Sequence, residues 1–316
     1  MKVIVAPRAS TILYDLLVTR TDKRPFLLPA NICPIVPITF RKAGVDFELV
    51  DIDPLTLHLD SSAALNRLDS GRFGGVLYAH TYGEPSTPVD FFAQVKRLHP
   101  SSLVVDDRCL CVPDLDAADS SADVLLYSTG YAKVVDVGSG GHAFAKEGVD
   151  CQHRRLAFDA QALVGLEQAY KQSISENARF EYRDSDWLET ETDLTWEPYR
   201  SRVASALPAA LHHREILNAI YAARLPVEIQ LPTAYQQWRF NIRVDNKEEI
   251  IDDVFASRLF VSSHYSSLAG IMSGEHCDHA EELAGSVINL FNDHHFTAEM
   301  AEGVCDVIVR RVKVRK

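Results

Sequence analysis

No segment of the 316-residue chain approaches the roughly 20 consecutive apolar residues that a membrane-spanning helix needs, although hydrophobic residues make up 47% of it. The N-terminal stretch MKVIVAPRAS is too short in apolar residues for a secretory signal. Positive charge is scarce: 32 Lys and Arg stand against 44 Asp and Glu, a formal net charge of -12. A surface of that sign repels phosphate backbones, so nucleic acid is not an expected partner, whereas an anionic small molecule still suits a locally basic site. Cysteine is sparse and scattered, at Cys33, Cys109, Cys111, Cys151, Cys277 and Cys305. That spread, with no secretory signal, argues against a disulfide framework. Neither CLC (109–111) nor EHCDH (275–279) has the paired-ligand spacing of a closed zinc site, so no metal is expected. The histidine pairs 212–213 and 294–295 read as solvated helix or loop positions. Internal repeats and low-complexity tracts are missing too. These absences leave a cytoplasmic, reduced protein, long enough for one large core and a smaller second domain.

What is present alternates. RPFLLPA (24–30), FELVDID (47–53), GGVLYAH (74–80), SLVVDD (102–107), DVLLYS (123–128) and GHAFAK (141–146) read as strands. Between them, CPIVPITFRKAG (33–44) reads as a proline-opened helix closed by glycine, SSAALNRLDSG (61–71) as a helix with serine at its start, and TPVDFFAQVKRLH (87–99) as an amphipathic helix. Continuous apolar strands separated by helices predict an α/β fold, a mainly parallel sheet covered on both faces. From 152 to 192 the chain turns polar and reads as helical. Beyond about 195, helices such as ASALPAALHHREILNAIYAARL alternate with short strands such as RFNIRV, which predicts a smaller α+β domain. The expected division is residues 1–190 and 191–316.

In a sheet of this kind ligands bind at the carboxyl ends of the strands. Asp106 and Asp107 end one such strand and Ser128 ends the next. Lys133 follows, ahead of the turn GSGG (138–141). APRASTILYDLL (6–17) offers a helix start at Ala9 and Ser10 whose free N–H groups suit a phosphate. A lysine amine can hold a carbonyl cofactor as a Schiff base. Pyridoxal 5'-phosphate also needs a carboxylate at its ring nitrogen and donors for its phosphate. Asp107, Ser128 and Lys133 supply these in order. The same residue types also suit a solvated lysine and helix-capping acids, and spacing alone leaves both readings open.

LPANICPIVPITFRKAGVDFELVDIDPLTLHLD (28–60), LYAHTYGEP (77–85), VVDD (104–107) and STGYAKVVDVGSGG (128–141) together resemble the DegT/DnrJ/StrS aminotransferases. The likeness is specific over residues 26–146 and looser beyond, where FASRLFVSSHYSSL and SVINLFND are similar to the family's histidine-bearing loop and a late strand. It implies a fold-type-I, pyridoxal phosphate-dependent enzyme and a homodimer with its site between subunits. Glutamate is the implied donor and a nucleotide-linked keto sugar the implied acceptor. By the same resemblance Lys133 is the Schiff-base lysine and Asp107 the ring-nitrogen partner. Ser128, Ala9 and Ser10 fall at phosphate positions, and Cys33 at the ring-stacking position. The family's Gly-Thr at the first helix is Ala9-Ser10 here, its glutamine after the aspartate is Leu110, and its inter-subunit Gly-Asn-Arg segment has no counterpart. His80 and Tyr82, at a strand end, are candidates for the pocket wall. Arg239 or Arg243, alternating with Trp238, Phe240 and Ile242 along a strand, could clamp a substrate carboxylate, and His264 matches the family's loop. The competing expectation is a relative that keeps the fold or the cofactor without aminotransferase turnover, or one that runs another pyridoxal reaction.

Overall fold

The computed structural model describes residues 1–117 and 119–312. Its first part builds β1 (Lys2–Ala6), α1 (Ala9–Thr19), β2 (Phe26–Pro29), α2 (Ile35–Lys42), β3 (Phe47–Val50), α3 (Ser61–Leu68), β4 (Gly75–Ala79), α4 (Val89–Leu98), β5 (Leu103–Asp107), β6 (Val124–Ser128) and β7 (Gly141–Ala145). The seven strands form one sheet in the order β1-β7-β6-β5-β4-β2-β3. The pairings from β3 across to β6 are parallel. β7 runs antiparallel to both β6 and β1. This is the mainly parallel α/β sheet that the apolar strands predict.

Burial on both faces explains why the interior strands carry apolar residues on both faces rather than in alternation. Along β5, Leu103 and Val105 belong to one core cluster while Val104 belongs to another. Leu126 and Leu125 divide in the same way on β6. The first cluster packs against α1 and α2, the second against α3 and α4.

The chain continues through α5 (Ala160–Ser175), α6 (Trp196–Arg224), β8 (Phe240–Arg243), α7 (Lys247–Ala256), β9 (Val261–Ser262), α8 (Asp278–Ser286), β10 (Val287–Leu290) and α9 (Ala298–Arg311). β8, β10 and β9 form an antiparallel sheet with β10 in the centre. Its core, with Ile242, Ile288, Val304 and Ile308, packs against α6, α7 and α9. Among the described residues no helix is long and apolar enough to cross a membrane.

Three local readings differ from the sequence expectation. Residues 2–6 form an edge strand, β1, that short alternation did not signal. The cap of α3 is Asp60, whose carboxylate accepts from the N–H groups of Ser62 and Ala63, rather than a serine. Of the polar segment 152–192 only α5 is helical. The rest is irregular chain tied to itself, where Thr190 Oγ1 accepts from Leu156 N–H, and to α1, where Asp15 accepts from Arg154 N–H and Thr11 donates to the Glu189 carbonyl. Those partners lie far away in sequence, so local periodicity does not reveal them. The closing helix α9 runs to Arg311, and residues 313–316 lie outside the described ones.

Candidate functional site

Strand parity separates the two aspartates that end β5. Asp107 shares the face of Leu103 and Val105, and its Oδ1 accepts from the Cys109 N–H at 3.0 Å. Asp106 lies on the other face and is fully buried. It holds His80 Nε2 at 2.7 Å and Arg108 Nε at 2.8 Å. The other ring nitrogen of His80 lies 2.6 Å from the Glu84 carbonyl. Asp106 is therefore a structural anchor, and Asp107 is the carboxylate free to meet a ligand.

Ser128 ends β6 on the Asp107 face, and the loop after it carries Lys133. That loop is held at both ends. Thr129 N–H donates to Gly140 O at 3.0 Å, and Gly140 N–H to Pro7 O at 2.7 Å. Thr129 Oγ1 pairs with the Tyr199 hydroxyl at 2.7 Å. Gly138 and Gly140 take positive φ angles of 86° and 108°, which a side chain would strain. At Gly141 the reason is space: a Cβ would fall 2.5 Å from the Ala9 backbone nitrogen. The glycine turn thus brings the end of the lysine loop directly against the start of α1. Arg8 caps that helix without a side-chain bond; Thr11 N–H donates to the Arg8 carbonyl at 3.1 Å, and the N–H groups of Ala9 and Ser10 stay available.

These pieces meet around one cavity of 540 Å³. Ala9, Ser10, Cys33, His80, Asp107, Ser128 and Lys133 all line it, as does Leu110. His80 reaches it with its ring already committed to Asp106 and Glu84. Burial pushes the Cys33 thiol up, the Lys133 charge acting in the opposite direction. Burial also raises the Cys109 thiol and the Tyr265 phenol well above their usual ranges. The thiols and the phenol near Lys133 are therefore held neutral, while Arg8, Asp107, Glu167 and Glu189 are the other charged side chains on the wall. An amine, a carboxylate and a helix start facing one cavity can bind an anion and move protons.

Four expected residues fall outside this wall. Tyr82 is buried with φ 54°, its ring stacked on Trp238 at 6.4 Å. Arg239 is buried, pairs with Asp293 at 2.8 Å and lines a second cavity of 590 Å³, which Lys133 also lines. Arg243 instead donates to Ser286 Oγ at 3.2 Å. His264 is exposed, its ring edge-on to Trp238, while its neighbour Tyr265 does line the first cavity. The structure adds residues the sequence did not single out. Leu163, Glu167 and Tyr170 project from α5 at helical spacing to form one side of the cavity. That spacing was the available signal, and nothing in it says which surface the helix covers.

A cluster of metal-ligand type also occurs. Ligand atoms of the buried His58, His80 and Glu84 lie within 4.8 Å of one another. Both His80 nitrogens already have partners, and burial pushes His58 down to about 3, so His58 stays neutral. The six cysteines are free thiols.

No family model matches the chain, and no curated protein does. Solved structures do. An aminotransferase of the DegT DnrJ EryC1 StrS group from Brucella abortus superposes with a TM-score of 0.67 at 13% identity, over 98% of this chain and 86% of that one. DesI, solved in the presence of its TDP-sugar product, gives a TM-score of 0.72 at 16% identity, over 98% and 80%. Spr1654 of Streptococcus pneumoniae, in its PMP form, gives 0.70 at 14% identity, over 97% and 86%.

Proposed function

We propose that this chain, which has the fold of those structures, is a pyridoxal 5'-phosphate-dependent aminotransferase. The observation that carries this is the convergence of Lys133, Asp107 and the start of α1 on one cavity. The residues present fit the group. The volume lies within the range of small-molecule sites, about 300–1,000 Å³. Gly141 keeps open the approach that places the Ala9 and Ser10 amides at the wall.

Lys133 Nζ would hold the cofactor's carbonyl carbon, and Asp107 would keep its ring nitrogen protonated. Ser10, Ser128 and the first amides of α1 would hold its phosphate, with Cys33 beside the ring. When bound, the cofactor supplies an electron sink for the charge left on the donor's Cα. Lys133 Nζ, once released, is the base that takes the Cα proton and the acid that returns it. Neutral side chains around the amine, the half-buried Cys33 and Tyr265 among them, shield it from water. Glutamate as donor, a nucleotide-linked keto sugar as acceptor, and a homodimer with its site between subunits follow from the motif resemblance. DesI, with its TDP-sugar product, supports the acceptor class.

The test is the visible absorption spectrum of the protein with pyridoxal phosphate, before and after glutamate, beside Lys133→Ala. A band that requires Lys133 and bleaches with glutamate is the expected result. Leu110 and Cys33, standing at ring-contact positions of the resemblance, favour one second reading: a fold-retaining relative without turnover. A Lys133-dependent band that no amino donor bleaches would select it. No band in either protein would remove the cofactor reading itself.

A further inference from the structure

The lysine loop is gripped from the far side of the sequence. Three consecutive carbonyls, those of Ala132, Lys133 and Val134, each accept a hydrogen bond from a side chain more than 75 residues away. Trp238 Nε1 donates to Ala132 O at 2.6 Å, Arg214 Nη2 to Lys133 O at 2.9 Å, and Arg214 Nε to Val134 O at 3.2 Å. Arg214 Nη1 then donates to Trp238 O at 2.6 Å and to Asn292 Oδ1, which joins the two gripping residues to each other and to the end of β10.

Two features set this apart from ordinary loop packing. Arg214 is 5% exposed, yet its acceptors among the described residues are three carbonyls and one amide. The nearby carboxylate of Asp293 is committed to Arg239. A buried charge without its own counter-ion is costly to keep, and its hydrogen bonds are of the stronger, charge-assisted kind. Ala132, just before the lysine, is held at φ 59°, where alanine is disfavoured. Left to itself the backbone would relax out of that conformation and swing the next side chain.

The geometry points to Arg214 and Trp238 as positioning residues for Lys133: a clamp built on α6 and the loop just ahead of β8 that fixes the lysine's backbone and so aims Nζ into the first cavity. This inference rests on the function proposed above. It also makes the reach of the lysine depend on where α6 and the antiparallel sheet stand.

The experiment separates holding the cofactor from linking to it. Pyridoxine 5'-phosphate has the ring and the phosphate but no aldehyde, so its affinity reports the cavity alone. With pyridoxal phosphate, the Lys133 amine and the aldehyde form a C=N linkage with loss of water. Borohydride adds hydride to the carbon, solvent adds a proton to the nitrogen, and the peptide is then counted by mass. For Arg214→Gln the linkage should form about ten-fold more slowly, with pyridoxine phosphate affinity unchanged. Trp238→Phe keeps an aromatic ring between Tyr82 and Tyr265 while losing the N–H and the second ring of the indole, and should slow linkage about three-fold. It carries the test if Arg214→Gln does not fold. Linkage at the wild-type rate in folded variants would overturn the clamp. So would a loss of pyridoxine phosphate affinity in step with the linkage rate, which would mark a general collapse of the site. A wild-type protein that binds no pyridoxine phosphate and links no Lys133 would overturn the functional reading, and the clamp's purpose with it.

Discussion

Asp106 and Asp107 are adjacent on β5 and serve opposite faces of the sheet. One carboxylate is sealed between His80 and Arg108; the other opens into the cavity that Lys133 lines. The 2.0-residue period of a strand does this without any special loop. The pair therefore separates chemistry from stability at neighbouring positions.

Asp107→Asn should keep the fold, because an amide oxygen can still accept from Cys109 N–H, and should cost at least about 100-fold in amino-donor turnover. Asp106→Ala should do the reverse. Removing one member of a buried charged network costs about 3–5 kcal/mol, read as a lower denaturation midpoint. Equal effects of the two changes in both assays would refute the division.

Gly141→Ala tests the contact that seats the start of α1. The new methyl would fall on the Ala9 backbone, which cannot move as a side-chain tip would. Overpacking of this kind costs about 1–3 kcal/mol. Phosphate-bearing cofactor should bind more weakly in the same variant, while Gly138→Ala should strain the turn without touching the helix start. Cofactor titration beside denaturant melts gives both readings.

Much of this was legible because strand ends are written locally. The runs ending at Asp107 and Ser128, and the glycines after Lys133, announce their places through apolar length and turn chemistry. Parity then decides between Asp106 and Asp107 once the sheet has two buried faces. What stayed hidden depends on contacts between distant segments. Arg239 alternates along a strand as a substrate clamp would, yet its partner Asp293 and the Phe291 ring beneath it lie some 50 residues on. Tyr170 and Glu167 look like a solvated helix face until α5 is laid over the cavity. The cap of α3 is ambiguous in the sequence because Asp60 is followed by two serines that could cap it equally well.

Stability should fall on acidification from neutral pH, and two buried histidines set the window. Burial pushes His58 down to about 3 and His142 to about 4, from an ordinary 6.5. Below pH 6.5 the unfolded chain binds these protons while the native state refuses them. The unfolded state thus holds more protons between about pH 6.5 and 4, so stability drops as pH falls through that window. Each group contributes up to about 1.4 kcal/mol per pH unit. Denaturant midpoints at pH 7, 6 and 5 should trace this slope, and His58→Asn should remove close to half of it. An unchanged slope in that variant would mean that His58 takes up its proton in the native state.

Arg239 supplies the sharpest contrast between site and scaffold. Its guanidinium lies 3.6 Å from the centre of the Phe291 ring and pairs with Asp293, away from the wall that Lys133 and Asp107 share. A substrate carboxylate would have to displace Asp293 to reach it, leaving that acid buried beside the incoming charge. Arg239→Gln should therefore lower stability by about 3–5 kcal/mol and leave KM for the amino donor within about two-fold of wild type. Asp293→Asn should destabilise in the same direction, and the double variant should cost less than the two single losses added together, as expected for groups in contact. A donor KM raised more than about ten-fold by Arg239→Gln alone, with the fold intact, would instead assign this arginine to substrate binding.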